Sequence, residues 1–479
     1  MEIIGRQREQ KILQRCLESK KPEFIAVYGR RRVGKTYLIR EYFTNRIVFS
    51  MTGTPKASQK AQLEGFDDAL QDAGGEVQVP TQNWNQAFKL LRLLLKQRIS
   101  DPQRNGKLVV FIDELPWLAT QRSGFVQALE HFWNSWASSR PELILVVCGS
   151  ATSWIINNLI HEHGGLHNRV TRQLRLEPFS LCECEQYLEY LGLAYTHQQI
   201  AELYMVTGGI PYYLDYLEPG KSVAQNIDAM FFAVGAPLLH EFDDLYASLF
   251  KNPGHHIAVV ATLAAHKSGL TQSELAKSAK IKAGGTLSKT LQELEQCGFI
   301  VKQNDFMSKR IQYYRLVDFY TWFYFKHVKA VNAQEHNYWQ ARSRKGELLS
   351  WNGLAFERLC EAHLAQIKQR LGIAGISVKT SAWRSRESRP AVQIDMIISR
   401  EDGIINLCEM KFSDAPYAIG AKEAEDLSYK LSVFASETRT RKALHLTMVA
   451  SQGLSSGSYR GDIQSVITLS DLFMPLLTL

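Results

Sequence analysis

The feature that most constrains this chain is an eight-residue turn, Gly29-Arg30-Arg31-Arg32-Val33-Gly34-Lys35-Thr36. It lies between an apolar run, Phe24–Tyr28, and a helical stretch opening Thr36-Tyr37-Leu38. Glycines near both ends let backbone N–H groups curl around an anion, and the following helix N-terminus adds a favourable dipole. The GxxxxGKT spacing predicts a phosphate cradle lined by Gly29, Arg30, Arg31, Arg32, Val33 and Gly34. Lys35 would reach the β- and γ-phosphates, and the Thr36 hydroxyl would ligate Mg²⁺. A second run, Leu108-Val109-Val110-Phe111-Ile112-Asp113-Glu114, reads as a buried strand ending in two carboxylates. Asp113 is expected to hold the magnesium shell and Glu114 to polarise an attacking water. Either element alone could be a structural accident, a Gly-rich turn or a solvated strand end. Together they predict binding and hydrolysis of ATP, with GTP as the alternative. A further apolar run, Leu143–Cys148, leads into Gly149-Ser150-Ala151-Thr152. Ser150 there is either a γ-phosphate sensor or an ordinary serine in a tight turn.

With 479 residues the chain exceeds one ordinary core, so three domains are expected from length. The composition, 45% hydrophobic and 22% charged, is that of a globular protein. No apolar run approaches a membrane span, and the opening Met-Glu-Ile-Ile-Gly-Arg lacks the apolar core of a signal peptide. Seven cysteines lie scattered without CxxC spacing. They argue for a reducing, cytoplasmic setting and against a disulfide framework or a structural zinc site.

Residues 1–180 alternate apolar runs (Phe24–Tyr28, Ile47–Ser50, Leu108–Ile112, Leu143–Cys148) with amphipathic stretches, the signature of a parallel sheet covered on both faces. Residues 181–250 read as helical, broken at Gly208-Gly209-Ile210-Pro211. Segment 255–316 carries nine Lys/Arg against four acids, a net +5, which is either a nucleic-acid footprint or a solvated basic face. Within it Thr271-Gln272-Ser273-Glu274 is a capping-box pattern, and a helix Thr286–Gln296 presents Leu287, Leu291 and Leu294 on one side with Lys289 outside. Two strands follow, Gly298–Gln303 and Ile311–Leu316, joined by a loop bearing Lys309 and Arg310. The 251–317 region resembles winged-helix domains, a resemblance that implies either DNA contact through the second helix and the wing or a role in protein packing. A helical connector over 318–350 and a mixed α/β region over 351–479 complete the chain.

Ile4-Gly5-Arg6-Gln7-Arg8-Glu9, the arginine-bearing P-loop, Phe111-Ile112-Asp113-Glu114 and Thr207-Gly208-Gly209-Ile210-Pro211 resemble the archaeal and bacterial AAA-type ATPases grouped with the STAND class. The resemblance implies that Gly5 and Arg6 pack near the adenine and that Pro211 belongs to a helical lid over the nucleotide. It also implies a γ-phosphate-contacting arginine. Asn168-Arg169 stands where the family usually has Gly-Arg, which makes Arg169 the candidate. The resemblance covers about the first 250 residues, and family members often carry a C-terminal domain similar to restriction-type nucleases.

In that C-terminal region, Val392–Ser399 and Ile404–Lys411 read as strands around Glu401-Asp402-Gly403. A three-residue loop with glycine in the left-handed position is a favoured hairpin connection, and counting back from it sets Asp395 opposite Glu409. Glu409 and Lys411 then share a face. Facing like charges destabilise a sheet, and a bridging Mg²⁺ or Mn²⁺ would remove that penalty. The alternative is a surface hairpin with a Lys411 salt bridge. Asp then Glu-x-Lys on a hairpin resembles the PD-(D/E)XK nuclease core, with Ile394 where proline is usual. The resemblance implies Asp395, Glu409 and Glu357 as metal ligands and Lys411 as the group that orients water, with Lys430 able to approach.

The expected fold class is therefore α/β: a P-loop parallel sheet (1–180), a helical lid (181–250), a winged helix, a connector and a restriction-endonuclease-like domain. Expected partners are ATP, DNA through 255–316 and the C-terminal domain, and a second copy of the chain, with no membrane. Two functions fit: an ATPase acting on DNA whose turnover gates a nuclease-like domain, or an ATP-operated switch that binds without cutting.

Overall fold

Short, uninterrupted apolar runs suit strands buried on both faces, and the computed structural model of this protein uses them so. It describes residues 2–476 except 104, 105, 121, 161–168, 309, 330, 332–336, 343–345, 386, 458, 460 and 462, so Asn168 and Lys309 lie outside the described residues. The strands of the first part are β1 (Glu23–Gly29), β2 (Ile47–Thr52), β3 (Leu108–Asp113), β4 (Leu143–Gly149) and β5 (Arg172–Leu176). All pair in parallel, in the order β2-β3-β4-β1-β5. Every residue of β1, β3 and β4 is buried, as central strands require, whereas β5 buries only alternate residues at the edge. The sequence reading has no strand at β5. Its Arg-Gln-Leu-Arg-Leu run is too short and too polar to stand out. One layer of the core is an aromatic pile between helices Trp84–Ile99 and Phe125–Ser135, with Trp84 and Phe125 edge to face at 4.8 Å.

The chain divides into two compact units, Met1–Pro178 and Phe179–Leu479. The second opens with capped helices, among them Leu181–Tyr190 and His197–Thr207. Three helices follow at Gly254–Ala265, Gln272–Ser278 and Gly285–Gln296, then an antiparallel hairpin of β6 (Ile300–Asn304) and β7 (Gln312–Leu316). Thr271 and Glu274 form the reciprocal capping box. Leu287, Leu291 and Leu294 are buried, and the Lys289 side chain is 76% exposed. The basic segment is not uniformly available, however. Arg315 is buried, bonded through Nη1 to Glu361 at 2.7 Å and to Gln303 at 3.2 Å, so it serves packing rather than a surface charge.

The last part is a sheet ordered β12-β11-β10-β9-β8, built from β8 (Val378–Arg384), β9 (Gln393–Arg400), β10 (Ile404–Lys411), β11 (Ala443–Ala450) and β12 (Ile463–Ile467). Strands β8, β9 and β10 run antiparallel to their neighbours, and β10, β11 and β12 run parallel. Period-two alternation gives β10 two duties. Ile405 and Leu407 pack with Val433 and Phe434 of helix Ala421–Thr438, and Cys408 lies on the side of Cys360 in helix Gly346–Ala362.

Candidate nucleotide site and carboxylate site

The nucleotide cradle is built at the ends of β1, β3 and β4. Gly29 has φ +142°, and a Cβ there would meet the Leu176 carbonyl oxygen of β5 at 2.2 Å, so only glycine fits. Gly34 (φ +87°) and Arg32 (φ +72°) hold left-handed conformations, which for an arginine is the kind of strain found at functional loops. Lys35 is buried and donates from Nζ to the Gly29 and Arg30 carbonyls at 3.1 and 2.9 Å, lying across the cradle. Arg30 and Val33 are buried beneath the loop, and Arg31 is half-buried. Gly5 and Arg6 are also left-handed, and the buried Arg6 guanidinium donates to the carbonyls of Val33 (2.9 Å) and Glu177 (2.7 Å). Arg6 thus bolts the P-loop to the segment after β5.

The Thr36 hydroxyl donates to Asp113 Oδ2 at 2.7 Å, and Asp113 Oδ1 accepts the Glu114 N–H at 2.9 Å. A hydroxyl and a carboxylate converging across 77 residues form the hard-oxygen donor set that suits Mg²⁺, so these two residues fit the ion. Cys148, below them, stays a neutral thiol because burial, followed by the Asp113 charge, pushes it well above the ordinary range.

Glu114 stands at φ +47° ahead of the short helix Leu115–Leu118. Two glycines leave room for this turn: a Cβ on Gly53 would lie 2.6 Å from the Glu114 carbonyl oxygen, and one on Gly149 would lie 2.7 Å from the Pro116 ring. Because β4 lies between β1 and β3, Ser150 falls between the P-loop and the Asp-Glu strand. There its hydroxyl donates to Glu114 Oε1 at 2.7 Å and its N–H to Oε2 at 3.4 Å. No local signal in the sequence announces this clamp. Arg169 is exposed. Pro211 opens the helix Pro211–Leu214 of the second unit, after Gly208 and a Gly209 whose Cβ would strike the Phe179 carbonyl at 2.4 Å.

In the C-terminal sheet the register pairs Cys408 with Met396 and Leu407 with Ile397, and Gly403 has φ +87°. Continued by one residue, that register sets Glu409 opposite Asp395. Asp395 Oδ2 accepts the Met410 N–H at 3.0 Å. Burial, and next the Glu409 charge, raise Asp395 to about 6, while burial followed by the Asp395 charge lifts Glu357 to about 7. Asp395 therefore feels Glu409, and Glu357 feels Asp395. Glu409 is also held by two lysines, Lys430 at 2.6 Å and Lys411 at 3.3 Å, and Lys411 lies 3.4 Å from Glu423. Burial opposes the Lys411 charge, but Glu409, Tyr417 and Glu423 outweigh it and hold the ammonium above its usual range. The facing carboxylates have lysines beside them, Lys411 and Lys430 on Glu409. Glu423 is the member of this network that sequence reasoning missed. Among the described residues, no group of three or more His, Cys, Asp or Glu side chains is arranged to hold a metal ion, and no helix is long and apolar enough to cross a membrane.

Residues 4–217 match the model of a family described as an ATPase domain predominantly from Archaea. An uncharacterized protein of Methanocaldococcus jannaschii is 22% identical over 418 residues, covering 86% of this chain and 88% of that one. Among solved structures, the Walker-type ATPase of Pyrococcus abyssi is 16% identical with a TM-score of 0.49, covering 68% of this chain and 96% of its own. The ORC2 protein of Aeropyrum pernix, solved in ADPNP–ADP complexes, is 12% identical with a TM-score of 0.41, covering 76% of this chain and 96% of that one.

Proposed function

We propose, on the premise that this chain carries an ATPase-type P-loop domain, that it hydrolyses ATP and acts on DNA, turnover gating a nuclease-like C-terminal domain. The observation that supports this reading most is the Thr36–Asp113 bond of 2.7 Å with Glu114 directly beside it. Thr36 and Asp113 would hold Mg²⁺, which when bound neutralises phosphate charge. Lys35 exchanges its carbonyl partners for the β- and γ-phosphates. Glu114 orients the attacking water once the Ser150 hydroxyl turns from it toward the γ-phosphate. Arg169 acts on that phosphate in cis, or in trans within a homo-oligomer.

DNA contact is assigned to a winged helix over 251–317, supported by its three helices and hairpin and by the exposure of Lys277, Lys280, Lys282, Lys289, Lys302 and Arg310. At the second site the facing Asp395 and Glu409 would bind Mg²⁺ or Mn²⁺ once Glu357 moves to join them, and Lys411 would orient water for attack on a phosphodiester. One observation favours a second reading, a switch that binds without cutting: Glu409 is already neutralised by Lys411 and Lys430. Incubation with DNA, ATP and Mg²⁺ or Mn²⁺, read on gels against Asp395→Ala and Lys411→Ala, separates them. Cleavage lost in both variants supports the nuclease. Divalent binding without cleavage by any of the proteins leaves the switch.

A further inference from the structure

Helix Ala421–Thr438 turns one face to the sheet at Lys430, Phe434 and Glu437, an i, i+4, i+7 series. Lys430 reaches Glu409. Phe434 packs on Trp383 at 5.1 Å and on Phe306, from the β6–β7 loop, at 5.2 Å. Glu437 takes its charge inward, accepting bonds from the Ser385 hydroxyl and from the backbone N–H groups of Glu387 (3.4 Å) and Ser388 (3.2 Å). These contacts draw three separate stretches to the C-terminal end of one helix: the β6–β7 loop with exposed Arg310, the end of β8 and the loop after it with exposed Arg384 and Arg389, and the turn with exposed Arg439 and Arg441.

Among the described residues, no carboxylate pairs with Arg384, Arg389, Arg439 or Arg441. Of the acids nearby in sequence, Glu437 is bound inward and Asp402 is taken by Arg400, which leaves the exposed Glu387 and Glu401. A helix C-terminus attracts cations by its dipole, which accounts for Arg439 and Arg441. It does not account for Arg384 and Arg389, which come from another element and are positioned by the serine bonds to Glu437.

We propose that these four arginines, continuous through Phe306 with the basic β6–β7 hairpin, form a phosphate-tracking surface for duplex DNA that leads to the Asp395–Glu409 site. The inference rests on the DNA-acting reading above and deepens it by naming the residues of the C-terminal domain that would track the duplex. Arginine forks match phosphate oxygens two at a time, and four without carboxylate partners suit a polyanion better than a single acidic side chain. The scale also fits. Glu437 lies seven residues beyond Lys430, about 10 Å along a helix at 1.5 Å per residue. That is about three base-pair steps of a duplex backbone.

The test is fluorescence anisotropy of a labelled duplex titrated with salt, using full-length wild type, Arg384→Gln/Arg389→Gln/Arg439→Gln/Arg441→Gln, and Lys289→Gln/Arg310→Gln. Each lost phosphate contact lowers the slope of log K against log salt by about 0.9, so the four-arginine variant should lose about 3 to 4 from the slope and at least about tenfold in affinity. Should that variant fail to fold by circular dichroism, the 384/389 and 439/441 pairs made separately should each lose about 2. Unchanged slope in a folded arginine variant, with binding lost in the 289/310 variant, overturns this inference and leaves the DNA-acting reading standing. Wild type that ignores the duplex overturns both, and arginine-dependent binding to phosphatidylserine vesicles in that case reassigns the surface to a membrane.

Discussion

Glu114 carries the tension of the proposed nucleotide site in one residue: the carboxylate proposed to polarise water is the one that Ser150 grips with both hydroxyl and N–H. Lys35 is similarly occupied, resting on the carbonyls of its own loop, which on the proposed reading it exchanges for phosphate. Lys35→Ala should therefore weaken ATP binding by about ten- to a hundredfold, the scale of a charge-assisted hydrogen bond lost. Calorimetry showing unchanged affinity would sink the assignment. Glu114→Gln should bind ATP as tightly as wild type and turn it over about 10²- to 10⁴-fold more slowly, since the amide cannot act as a base. A phosphate-release assay giving equal rates would move catalysis to another residue.

At the scale of elements, helix Ala421–Thr438 decides how much of the second site is free for chemistry. Lys430 reaches down from it to Glu409, and Glu423, in its first turn, engages Lys411. On the proposed metal reading, a divalent ion would have to compete with these lysines for Glu409. Lys430→Met should raise Mn²⁺ affinity by about tenfold, the scale of one charge-assisted bond no longer displaced. Calorimetric titration showing the variant no tighter than wild type would count against a metal at this pair and for a structural ion-pair network.

For the molecule as a whole, buried titratable groups of the second unit set opposing pH dependences. His363, 2% exposed, accepts the Leu181 N–H on Nε2 at 3.0 Å and faces the Leu359 carbonyl on Nδ1 at 2.9 Å, which ties helix Leu181–Tyr190 to the end of helix Gly346–Ala362. Burial lowers it to about 4 from an ordinary 6.5. Between those values the unfolded chain binds a proton that the folded one refuses, so its contribution is present above pH 6.5 and is lost as pH falls through 4. Burial, followed by the Asp414 charge, raises Glu202 to about 7 from 4.5. The folded chain here binds the extra proton, so this contribution is present below pH 4.5 and lost as pH rises through 7. In urea unfolding across pH 4 to 7, the deficit of His363→Gln relative to wild type should shrink toward acid by up to about 3 kcal/mol. The difference for Glu202→Gln should run the opposite way. Deficits that do not change with pH would show that neither group titrates in this range.

The sequence alone determined what local chemistry can dictate. Strand-forming runs, the P-loop, the paired acids at Asp113-Glu114 and the Thr271 capping box are all legible because each depends on residues a few positions apart. The hairpin register at Asp395 and Glu409 belongs with them, since a short loop ending in a left-handed glycine leaves little freedom in the count. Only the tertiary structure decided which of those groups are free. Gly29 is obligatory because β5, 147 residues away in its pairing, passes over it. Ser150 holds Glu114 across 36 residues, Glu361 withdraws Arg315 from the basic surface across 46, and Lys430 neutralises Glu409 across 21. Periodicity specifies the faces of an element, but the partner that meets each face is set by packing between segments remote in the chain. A charge's availability to a ligand depends on that partner.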